Sequence, residues 1–66
     1  MNAVADELLP EAKGAEFIQK HPQTLRKQRR EGTLPFPYLR IGGRYFYRRS
    51  VLEKYLRDCE IHPDGA

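Results

Sequence analysis

Sixty-six residues make one domain, with room for only a small core. With 39% apolar and 32% charged residues, the composition is that of a globular chain and not a disordered one. The single cysteine, Cys59, excludes an intrachain disulfide, and no apolar run approaches the roughly 20 residues of a membrane span. A small fold without that crosslink fits a reducing cytosol. Asp6 and Glu7 interrupt any basic-then-apolar leader. A deep enzyme cleft has no space here, so a non-enzymatic role is expected.

The charge is unevenly placed. From Lys20 to Arg49 there are nine bases (Lys20, Arg26, Lys27, Arg29, Arg30, Arg40, Arg44, Arg48 and Arg49) against one acid, Glu31, a local charge of +8. The rest of the chain has three bases and eight acids, a charge of −5, which gives the net +3. One strongly basic segment between acidic ends points to a polyanionic partner, nucleic acid first.

In chain order, residues 1–9 are expected to be a flexible arm, with at most a brief helical turn. Pro10 suits a first helical position because its missing N–H would be unpaired there. Glu11 follows at the favourable end of the helix dipole. Ala12, Ala15 and Ile18 fall three apart with Phe17 beside them, which predicts a short helix from Pro10 to Gln19, weakened by Gly14. Lys20-His21 breaks it. Pro22 opens a second helix to Glu31, and Gly32 stands where a left-handed cap is needed. The short gap is that of a helix-turn-helix.

Two prolines keep residues 34–37 out of a helix. A strand is expected from Tyr38 to Ile41, a Gly42-Gly43 turn, and a return strand from Arg44 to Arg48. Alternation separates Tyr45 and Tyr47 from Arg44, Phe46 and Arg48. Leu39, Ile41, Tyr45 and Tyr47 are expected to form the apolar face. Ser50 and Glu53 have the spacing of a capping box. Behind them Leu52, Tyr55, Leu56 and Cys59 recur at helical spacing, with Cys59 expected in the core or at its rim. Residues 61–66 are expected to be a tail.

On the second helix, Gln23, Arg26, Lys27 and Arg30 form one polar, cationic stripe opposite Leu25 and Gln28. Like charges at this spacing cost a few tenths of a kcal/mol each, roughly, unless a partner supplies negative charge. Arg and Lys can reach guanine in the major groove, and Gln23 can reach adenine. Arg29 is expected at the side of the stripe, toward the DNA backbone. Arg40, Arg44 and Arg48 surround the hairpin tip, where a ribbon can follow phosphates or enter a narrow minor groove.

The runs Ala15-Glu16-Phe17-Ile18, His21-Pro22-Gln23-Thr24-Leu25-Arg26-Lys27 and Arg29-Arg30-Glu31-Gly32-Thr33-Leu34-Pro35 are followed by Arg40-Ile41-Gly42-Gly43-Arg44-Tyr45 and by Tyr47-Arg48-Arg49-Ser50-Val51-Leu52-Glu53-Lys54-Tyr55-Leu56. In this order they resemble the excisionase and AlpA-like winged helix-turn-helix domains, relatives of the MerR DNA-binding domain from phages and mobile elements. The resemblance implies an α+β fold: three short helices with a two-stranded antiparallel wing between the second and third, over residues 10–60. It implies that the second helix enters the major groove while the wing meets the minor groove or backbone. It further implies an excisionase or a transcription regulator that bends DNA. The implied DNA-binding set is Lys20, His21, Gln23, Thr24, Arg26, Lys27, Arg29, Arg30, Arg40, Arg44 and Arg48. The family usually has Ser or Thr at the place of His21, often Gly-Val at Gln19-Lys20, and an aromatic at Gln28, whose space Phe36 or Tyr38 is expected to fill.

The implied partners are double-stranded DNA, an integrase, and further copies of the chain on neighbouring sites, in a bacterial cytoplasm. The alternative is an adaptor that docks on an acidic protein through the same basic face. No cofactor, metal or small-molecule substrate is expected. His21, His62 and one cysteine match no standard zinc spacing, and Gly42-Gly43 lacks the Lys-Ser/Thr of a phosphate loop.

Overall fold

The computed structural model describes residues 6–61 and 63. The elements are β1 (Leu8–Pro10), α1 (Glu11–Phe17), α2 (Pro22–Glu31), β2 (Leu39–Ile41), β3 (Arg44–Arg48) and α3 (Arg49–Asp58). The three strands form one antiparallel sheet in the order β1-β3-β2. This is the α+β winged helix-turn-helix expected, with one strand more in its sheet.

That extra strand corrects the expected arm. Leu8, Leu9 and Pro10 pair with Arg48, Tyr47 and Phe46. The strand is legible only in its partner: β3 is Arg-Tyr-Phe-Tyr-Arg, a good strand sequence that needs two neighbours when central. Pro10 is tolerated because β1 is an edge. The part of the expected arm at residues 1–5 lies outside the described residues.

α1 is shorter than expected, ending at Phe17, and Ala12 is exposed. Its inward face carries Gly14, Ala15 and Ile18. α2 has the expected bounds. His21 caps it, its Nδ1 accepting from the Gln23 N–H at 3.1 Å, so the imidazole does what a Ser or Thr oxygen does elsewhere. At the far end Gly32 adopts φ +73.

The turn of the hairpin is as expected, with Gly42 at φ +57 and Gly43 at φ +80. Its faces are not. Register pairs Leu39 with Phe46, Arg40 with Tyr45 and Ile41 with Arg44. Directly paired residues share a face. Leu39 and Ile41 therefore lie with Phe46 and Arg44 on the open face, where Ile41 is 48% exposed. Arg40 lies with Tyr45 and Tyr47.

The capping box does not form. α3 begins at Arg49, with Arg48 as its cap residue. Ser50 turns to β1's side instead: its N–H and hydroxyl both donate to Asp6, at 3.0 and 2.6 Å. Glu53 pairs with Arg49 one turn away. Cys59 is exposed at the end of α3, not in the core. The inward face of α3 is Val51, Leu52 and Tyr55.

The core draws one side chain each from α1, α2, β3 and α3 (Ala15, Leu25, Tyr47 and Leu52), together with Ile18 and Phe36 from the connections. Phe36, between the two prolines of the α2–β2 connection, meets Tyr47 and Tyr55 edge to face at 5.7 and 5.1 Å. Of the two aromatics expected to fill in near Gln28, Phe36 is buried and Tyr38 stays 42% exposed. Gln28 Oε1 is buried with no hydrogen-bond partner among the described residues.

Candidate nucleic-acid interface

α2 divides its side chains by helical spacing. Leu25, Gln28 and Arg29 turn inward. Gln23, Arg26, Lys27 and Arg30 line one shallow depression on the outside. Lys27 and Arg30 make no ion pair with any described residue, and neither do Arg40 and Arg44 on the wing. Thr24 is exposed in the first turn of α2. His21 is held as the cap. Lys20 is half-buried and leans away, its Nζ 5.7 Å from the centre of the Tyr55 ring.

Arg29 departs from the expected role. Its side chain is 9% exposed. Nε and Nη2 donate to the two carboxylate oxygens of Glu11 at 3.3 and 3.2 Å. The guanidinium lies 3.5 Å over the ring of Tyr45. Burial pulls its pKa down, but the Glu11 carboxylate more than offsets this and holds it above its ordinary value. Arg29 is thereby a tie between α1, α2 and β3, and not a phosphate contact.

Glu11 is the centre of that tie. It also accepts from the Tyr47 hydroxyl at 3.0 Å, and Arg26 Nε lies 3.7 Å away. Burial first, then the nearby carboxylate, push the Tyr47 pKa up to about 12. No local motif marks Glu11 in the sequence. A partial signal existed for Arg29, which follows Leu25 by four residues and so shares its inward face.

On the sheet, Arg40, Arg44 and Arg48 are all exposed, but on two faces. Arg40 is on the side that packs against α1 and α3; Arg44 and Arg48 are on the open side with Phe46. Arg48 is near Asp6, whose pKa is lowered by its hydrogen bonds from Ser50 and to a lesser degree by the Arg48 charge. Arg49 is held above its ordinary pKa by Glu53 and Glu7 and serves the joint between α3 and β1.

The family model of a helix-turn-helix domain matches residues 12–60, most of the chain. The chain belongs to this family. No curated protein and no solved structure matches it. As a helix-turn-helix DNA-binding domain, the chain has α1 and α2 as its helix pair, with the depression on α2 facing outward. Asp6 and Glu7, which bond to Ser50 and Arg49 of α3, and Glu11, which joins α1 to Arg29 of α2 and Tyr47 of β3, precede the matched residues. Among the described residues no helix is long and apolar enough to cross a membrane, and no group of three metal-ligating side chains occurs.

Proposed function

We propose that the chain is a sequence-specific DNA-binding protein of the excisionase/AlpA type. It acts as a recombination directionality factor or as a transcription regulator of a phage or mobile element. One observation carries this reading: Gln23, Arg26, Lys27 and Arg30 converge on one exposed depression, and Lys27 and Arg30 there make no ion pair with any described residue. Cations held together without partners raise the local potential, and phosphates supply the missing charge. A helix such as α2, about 10–12 Å across with its side chains, fits the roughly 12 Å wide major groove. The wing tip at Gly42-Gly43, with Arg40 and Arg44 beside it, reaches the neighbouring minor groove or backbone.

The action is binding and bending, without catalysis. A module of this size covers a footprint on the order of 600–1,000 Å². Several copies on adjacent sites, together with an integrase, complete the specificity in a bacterial cytoplasm.

Selection from a random duplex pool, followed by binding across a salt series, tests the reading. One enriched sequence, with an affinity that falls steeply as salt rises, is the expected result. Salt-independent affinity, or no binding to any duplex, would falsify it. A circular-permutation bending assay on the selected site, read beside the neighbouring genes, separates excisionase from regulator.

A further inference from the structure

The Glu11 carboxylate is only 16% exposed and is fixed by Arg29 and Tyr47. Its position is therefore set before any ligand arrives. Arg26, 51% exposed, brings its Nε to 3.7 Å from the same carboxylate. The long Arg26 side chain is paired with Glu11 beyond hydrogen-bond distance, and it also lines the depression with Gln23, Lys27 and Arg30. A guanidinium held by Nε presents Nη1 and Nη2 as a fork, the geometry that reads guanine O6 and N7 together. Lys27 and Arg30 make no ion pair among the described residues.

We infer that Glu11 is a positioning residue for base recognition: it orients Arg26 and so sets the base-pair preference where Arg26 reads. The inference rests on the DNA-binding reading and deepens it. Glu11 touches no base. It acts by sparing Arg26 the ordering of its side chain on binding, a cost of order 1 kcal/mol for a free arginine. The same carboxylate holds Arg29, so the joint that fixes α2 against the sheet also fixes the reading side chain.

The test uses the full chain on its selected site and on every single-base-pair variant of that site. Glu11→Gln, Arg26→Ala, the double variant and Tyr47→Phe are compared at a temperature where circular dichroism shows each folded. Glu11→Gln is expected to reduce the preference at one base pair by about threefold to tenfold. Arg26→Ala loses preference at that same pair, and the double variant loses no more than Arg26→Ala. Tyr47→Phe removes a bond to Glu11 but not the Arg26 pair, so it lowers stability and keeps the preference. Glu11→Asp keeps the carboxylate charge but shortens its reach, and carries the test if Glu11→Gln does not fold.

An equal loss of affinity for every duplex overturns the inference, because that is what a merely structural role produces. So does a change at a pair that Arg26→Ala leaves alone, or an equal change from Tyr47→Phe. A wild-type chain that binds no duplex overturns the DNA reading itself.

Discussion

Gly14 sets helix propensity against packing, and packing decides. A glycine inside a helix costs about 1 kcal/mol relative to alanine. Yet a Cβ at Gly14 would stand 3.0 Å from Tyr47 Cδ2 and 3.5 Å from Leu52 Cδ1. Tyr47 is fully buried and its hydroxyl is bonded to Glu11, so the ring cannot yield easily. Gly14→Ala is therefore expected to lower stability by about 1–3 kcal/mol, despite the better helix former, as read from a urea midpoint. Gln19 is the converse. It sits at φ +61 in the turn between α1 and α2, a conformation that costs a residue with a Cβ roughly 1 kcal/mol. Gln19→Gly should raise stability by about 0.5–1 kcal/mol with an unchanged m-value. The glycine that the resembling family often has at this place has the same physical reason.

Among the elements, β3 governs the sheet. It pairs on both edges and sends Tyr47 into the core, where helices α1 and α3 close over it. The Tyr47 hydroxyl stays protonated because ionising it would place a second negative charge beside Glu11 away from water. Its folded pKa, about 12, is above the ordinary value of 10.0. The unfolded chain therefore gives up this proton first. The stabilisation is complete below about pH 10 and is lost as pH rises toward about 12. Thermal melts from pH 8 to 12 should show this fall in Tm. Tyr47→Phe should start lower at pH 8 and decline less steeply over the same range, because the titrating group is gone.

At the scale of the whole molecule, the basic segment divides into cations that face outward and others, Arg29 and Arg49 among them, that hold the fold together. Lys27 belongs to the first set and Arg29 to the second. Lys27→Ala should leave the urea midpoint within about 0.5 kcal/mol of wild type. It should weaken binding by about 1–3 kcal/mol if a base contact is lost, or reduce the salt slope by about 1 if a phosphate contact is lost. Arg29→Met should do the reverse. It leaves the Glu11 carboxylate short of its main partner and costs about 3 kcal/mol of stability. On protein kept folded, the salt slope should stay unchanged. Denaturation and salt titration on the same two variants separate the roles.

Local chemistry was sufficient wherever one segment decides its own shape. The span of α2 follows from Pro22, its helix-forming interior and Gly32, and the wing turn follows from two glycines that accept positive φ. The cationic stripe follows from spacing on one helix. What the tertiary structure decided depends on residues far apart in the chain. Asp6 takes Ser50 out of its capping box across 44 positions, because its carboxylate accepts from both the N–H and the hydroxyl, where Glu53 would accept from the N–H alone. Leu8–Pro10 becomes a strand because β3 offers it an unpaired edge. Arg29 turns from a presumed phosphate contact into the tie of the fold because Glu11, 18 positions earlier, and Tyr45 meet it from two other elements. The sequence by itself determined the helix pair, the wing and the cationic surface, since each is written in local spacing. Only the tertiary structure decided which arginines remain available on that surface, since burial and pairing are properties of the packed chain.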